Sequence, residues 1–243
     1  MGCTQLGDFA MGRSTGVAWD EDPATTIIKL YSPHTTAGLS GAYDPRYYVP
    51  EVQIWGDGRI IWVEREDQSR RVLEGRLTEA ETKALLTRIV EAGFFEWEES
   101  YQTLGGNSLP WMHLQINLSD RSKEIREHGG APDAYYDLEA HLLDGAGADG
   151  RAFVPACGYL TARLFSSSDV GPQWPSGAEV TPDRIGEGRY VEGRLLEFAW
   201  DLVNQKPLNP IYASYGGRTY VIMVQIPDVS LTQPPRPTEC AAR

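Results

Sequence analysis

Gly56-Asp57-Gly58 lies between two short runs of strand-forming residues, 52–55 (VQIW) and 59–64 (RIIWVE). A chain that reverses within three residues can pair only with itself, and antiparallel. Glycine supplies the positive φ such a turn needs at little steric cost. The chain must therefore contain a β-hairpin here. A second hairpin is expected where Gly216-Gly217 separates 211–215 from 218–226. Two such nuclei far apart in one chain predict two sheet-forming units.

Other segments fill in the pattern. TTIIKLY at 25–31 is β-branched and short, and reads as a first strand. Thr78 and Glu81 have the spacing of a capping box: the hydroxyl takes a free backbone N–H and the glutamate reaches back to the cap. Leu85, Leu86, Ile89 and Val90 then form one apolar face, and Gly93 ends that helix. Met112, Leu114, Ile116 and Leu118 alternate with Trp111, His113, Gln115 and Asn117, which predicts a strand with one buried face, and 123–128 returns beside it. Pro132 opens a second helix with Tyr135, Leu138 and Leu142 on one side. The stretch 144–150 (DGAGADG) reads as a flexible break. Beyond it come a strand at 158–165 and a third helix at about 191–204, with Leu195, Phe198, Ala199 and Leu202 facing in. The fold class expected is α+β, in two units, each a small antiparallel sheet packed with helices. The segments are an N-terminal tether (1–24), a first unit (25–143), a second unit (151–226) and a Pro-rich tail (227–243).

Charge narrows the partners. The 243 residues carry 34 Asp and Glu against 22 Lys and Arg, a net charge of −12. A surface this acidic repels phosphate backbones, so nucleic acid is not an expected partner. No run of about 18 apolar residues occurs, so no helical membrane span is expected.

The three cysteines, Cys3, Cys157 and Cys240, contain no C-x-x-C pair. Gly2-Cys3, followed by the polar stretch from Thr4, resembles the mature start of a bacterial lipoprotein, in which the cysteine carries the lipid. The apolar segment that precedes such a cysteine is not in the sequence. The resemblance implies lipidation of Cys3 and attachment to the outer side of a membrane. Leu6 departs from the eukaryotic myristoylation pattern, which has Ser or Thr at that position. With Cys3 acylated, Cys157 and Cys240 remain as a pair. They form either a disulfide, which an oxidising compartment permits, or two separate buried thiols. A bridge would close a loop of about 80 residues and contribute roughly 4 kcal/mol in entropy models.

Several residues between 52 and 143 carry a second resemblance. They are Gly56-Asp57-Gly58, Leu77-Thr78-Glu79-Ala80-Glu81, Ala92-Gly93-Phe94-Phe95 and Tyr101. This order of hairpin, L-T-x-x-E helix, aromatic turn, paired strand and Pro-started helix resembles uncharacterised bacterial secreted and lipoprotein domains of unknown function. The resemblance implies an extracytoplasmic address and a fold. It implies no reaction.

Chemical motifs are sparse. Of four histidines, His113 and His128 could face each other on neighbouring strands, but no cysteine or spaced carboxylate accompanies them, so a metal site is not expected. The acidic stretches 20–22 and 96–99, and Asp144 and Asp149, lack the alternation of a calcium loop. G-x-S-x-G, S-x-x-K, G-x-G-x-x-G, Walker A and C-x-x-C-H sequences are absent, so neither a catalytic residue nor a cofactor is assigned. Aromatics are plentiful, and Trp19, Tyr43, Tyr47, Tyr48, Trp174 and Tyr190 fall in loops or near them. They are the candidate interface, because loop aromatics anchor protein contacts. The function expected is non-catalytic: a lipid-anchored extracytoplasmic accessory or assembly subunit of a bacterial membrane protein complex, of which an electron-transfer complex is one conceivable kind. The alternatives are a cell-surface carbohydrate- or peptide-binding module, and a hydrolase with a split triad.

Overall fold

The computed structural model describes residues 16–32, 49–66, 69–103, 111–166, 171–205 and 212–235. Cys3, Tyr43, Tyr47, Tyr48 and Cys240 lie outside them.

The Gly56-Asp57-Gly58 turn forms as its sequence dictates. Gly58 has φ +80° and donates its N–H to the Trp55 carbonyl at 3.0 Å, while the Asp57 carboxylate accepts from the Arg59 N–H. It joins β2 (Val52–Trp55) to β3 (Arg59–Glu66), and β3 turns into β4 (Ser69–Arg76). β1 (Thr26–Tyr31) pairs with β2 on one side and with β6 (Met112–Asn117) on the other. β7 (Ser122–His128) follows β6, β5 (Ser100–Gln102) runs parallel to β7, and β8 (Arg151–Ala152) adds to β4. The eight-stranded order is β5-β7-β6-β1-β2-β3-β4-β8. The second sheet has four antiparallel strands in the order β10-β9-β12-β11: β9 is Gly158–Phe165, β10 Arg189–Val191, β11 Tyr212–Tyr215 and β12 Arg218–Gln225. The protein is thus α+β with two sheets packed with helices, and the first sheet is larger than its sequence suggested.

The extra strands are those with little pattern of their own. β4 (SRRVLEGR) sets Val72 and Leu73 side by side among arginines, and β5 and β8 have three and two residues. β4 exists because β3 templates it over its whole length, with Glu64 and Arg71 paired across the ladder.

Helices cover one face of the large sheet. α1 (Glu79–Glu91) starts at the Thr78–Glu81 capping box and buries Thr82, Leu85, Leu86 and Ile89. α2 (Asp133–Leu143) buries Tyr135, Leu138 and Leu142. They share a core with Ile28, Leu30, Ile54, Ile60, Leu114, Ile116 and Ile125. The opposite face of the hairpin is also buried, which explains the unbroken IIWV run of β3. Ile60 and Trp62 enter the first core, whereas Ile61 and Val63 join Trp55 and Val72 in a second. That second core contains Leu195, Leu196, Ala199 and Trp200 of α4 (Gly193–Gln205) and Leu160, Tyr220, Ile222 and Val224 of the small sheet. α4 therefore packs against both sheets, with Phe198 and Leu202 partly buried beside it as expected. A short α3 (Pro182–Ile185) packs on β9.

Three segment expectations change. Residues 16–24 are a docked strap where a tether was expected: Trp19 Nε1 donates to the Gly56 carbonyl at 2.9 Å and Ser119 N–H to the Ala18 carbonyl. Gly56 makes this possible, since a Cβ there would sit 1.9 Å from the Asp20 carbonyl oxygen. The 144–150 stretch is packed, because Gly145 and Gly150 lie against the Trp62 ring, and β8 follows it into the large sheet. In the tail, Val229 and Ser230 are buried, and the Ser230 hydroxyl accepts from the Ile226 N–H at 2.8 Å. Residues 236–243 lie outside the described residues.

Candidate functional site

On β1, β6 and β7 the face turned away from α1 and α2 is polar. Leu30, Leu114 and Ile125 point into the first core, so their neighbours Lys29, Tyr31, His113, Gln115, Glu124 and Arg126 share the other side. Register brings them together: Tyr31 lies opposite His113, His113 opposite Arg126, and Gln115 opposite Glu124.

Glu124 is the hub. Its Oε2 accepts from the Tyr31 hydroxyl at 2.9 Å, and its Oε1 lies 3.1 Å from His113 Nδ1 and 3.8 Å from Arg126 Nε. The Tyr31 and His113 rings sit 5.0 Å apart, and the Lys29 ammonium lies 5.5 Å from the Tyr31 ring centre. Burial, then the hydrogen bond to Glu124, push the Tyr31 phenol up to about 12. Burial also lowers Lys29 from its ordinary value. Tyr31 is therefore a fixed hydrogen-bond donor at neutral pH, unsuited to act as base or nucleophile. The cluster is a rigid patch of half-buried donors and charges, suited to recognition.

A second group lies where β7 leads into α2. Glu127 is 7% exposed, and its Oε1 accepts from the Tyr136 hydroxyl at 2.8 Å and from the Gly129 N–H. Burial, with the charges of Glu127 and Glu51, raises Glu139 from 4.5 to about 7. Tyr135 is fully buried, its hydroxyl has no hydrogen-bond partner among the described residues, and burial and Glu139 raise its pKa. An acid that holds its proton to neutrality marks a strained electrostatic environment.

No family model, curated protein or solved structure matches the chain.

The residues expected from sequence are distributed unevenly. His113 and His128 do share one face of adjacent strands, but His113 engages Glu124 and His128 stacks on Trp111 at 4.8 Å. No group of three metal-capable side chains occurs among the described residues. Trp174 is a correction to the candidate interface: it is 6% exposed, donates to the Val180 carbonyl and packs edge-on against Phe198, holding its proline-rich loop onto the second core. Trp19 secures the N-terminal strap. Tyr190 is half-buried and packs on Tyr159 at 5.1 Å. Cys157 is disulfide-bonded. Sequence reasoning missed Tyr31, Glu124, Arg126 and Glu139. The signal available for the first three was their place on the polar face of patterned strands.

Proposed function

We propose that the protein is a lipid-anchored extracytoplasmic accessory subunit that docks on a bacterial membrane complex and performs no reaction of its own. The observation that carries this reading is the disulfide at Cys157, since disulfides persist in oxidising compartments. A lipid on Cys3 leaves Cys240 as its partner. The Tyr31–His113–Glu124–Arg126 patch supports the docking role, because its polar groups are held in place before any partner arrives.

The test uses native membranes. Intact mass should show acyl chains on Cys3, and thiol alkylation without reductant should label no cysteine. Cys3→Ser should move the protein from the membrane to the soluble extracytoplasmic fraction. The double reversal Glu124→Lys, Arg126→Glu should leave it anchored but shift it out of the high-mass band on a native gel. A protein with Cys3 unmodified that a salt wash removes refutes the anchor. An unchanged band refutes the docking face.

A further inference from the structure

The outer face of the four-stranded sheet carries a cleft of about 470 Å³, within the range of small-ligand sites. Its floor comes from alternation along β9: Leu160 and Ala162 enter the second core, so Tyr159, Thr161 and Arg163 face outward, joined by Gln225 of β12. One wall is the Gly186–Glu187 turn and the other is the Thr232–Pro235 segment.

Both walls are tied to the floor. Gln225 Nε2 donates to the Thr232 carbonyl at 2.9 Å, Tyr190 donates its hydroxyl to the Pro235 carbonyl, and Tyr159 donates to the Glu187 carbonyl at 3.3 Å. The Tyr159 ring is seated over Gly188, where a Cβ would lie 2.3 Å from it. The cleft is therefore preorganised rather than a gap between loose loops.

One buried polar group in it awaits a partner. Thr161 is only 5% exposed, and its hydroxyl has no hydrogen-bond partner among the described residues, although a buried hydroxyl left unsatisfied costs about 1–3 kcal/mol. Gln225 is 6% exposed and lines the same space, its Nε2 held by the Thr232 carbonyl and its amide oxygen left to accept. Arg163 makes no ion pair among the described residues. A planar guanidinium fork matches a carboxylate, and a hydroxyl beside an amide matches the alternating donors and acceptors of a polyol. Tyr159 adds an apolar wall. Glu187 also lines the cleft, and an acidic residue at the rim disfavours a dianion such as phosphate more than a singly charged ligand.

We propose that this cleft binds a small carboxylate-bearing saccharide of the uronic-acid class, its carboxylate on Arg163 and its hydroxyls on Thr161 and Gln225. The inference stands apart from the anchoring and docking reading, since it uses different residues and a different face.

The test is titration of the full, disulfide-intact chain with glucuronate, glucose and inorganic phosphate, followed by calorimetry and by NMR shifts. Glucuronate should bind, with shifts at Thr161, Arg163 and Gln225, and glucose should bind at least about tenfold more weakly, the worth of one charge-assisted hydrogen bond. Arg163→Gln should weaken glucuronate about tenfold or more, and Arg163→Lys should recover only part. Thr161→Val should weaken it severalfold, whereas Thr161→Ser should retain it. A cooperative unfolding transition would show that each variant is folded. Absence of glucuronate binding, binding unchanged in Arg163→Gln, or phosphate binding as well as glucuronate would each overturn the proposal, the last by reducing the cleft to a generic anion site.

Discussion

Glu139 provides a quantitative test of how α2 sits against the large sheet. Its carboxyl is raised from 4.5 to about 7, first by burial and then by Glu127 and Glu51, with Tyr135 alongside. The sign follows from linkage. Below about pH 4.5 the group is protonated in folded and unfolded chains alike and contributes nothing. Between about 4.5 and 7 the unfolded chain ionises while the folded one keeps its proton, so stability falls as pH rises; above about 7 the loss is complete. At about 1.4 kcal/mol per factor of ten, the interval amounts to at most about 3.5 kcal/mol. Glu139 is only half-buried, and solvent screening reduces this to about 1–2 kcal/mol. Glu139→Gln keeps the shape and cannot ionise. Urea unfolding should find it about 1–2 kcal/mol more stable than the parent near pH 8, and within about 0.5 kcal/mol of it near pH 4.5. The difference between the two proteins is the readout, because other carboxylates titrate in both. A difference that stays flat across this range would refute the placement of Glu139 among the other acids.

Three further perturbations test other parts of the structure. Thr78→Ala removes the capping hydroxyl of α1 and should cost about 1 kcal/mol in urea unfolding, with Thr78→Ser close to the parent. Gly150→Ala would place a Cβ 2.5 Å from the Trp62 ring, and should lower stability by about 1–3 kcal/mol and change tryptophan fluorescence. Tyr31→Phe removes one hydrogen bond to Glu124 and should cost about 1 kcal/mol without altering the circular dichroism spectrum.

What the sequence made legible was local. The two glycine hairpins, the capping box of α1, the alternation of β6 and the inward face of α4 depend on residues within a turn or a few positions of one another. β4 was hidden because its arginines obey no period, and only the ladder with β3 reveals it. The Tyr31–His113–Glu124 contact depends on strand register across residues 31, 113 and 124, and Glu139 is perturbed by Glu51 and Glu127 from two other parts of the chain. No spacing rule connects such positions. Trp174 misled for the opposite reason: its prolines read as a surface loop, whereas the indole is what fastens that loop down.

The strap at 16–24 marks one end of the large sheet. It fastens beside Gly56, at the rim where β1 begins. The far ends of the same strands, near Tyr31 and His128, lie about 20 Å from that rim, so the strap and the polar patch occupy opposite ends of the sheet.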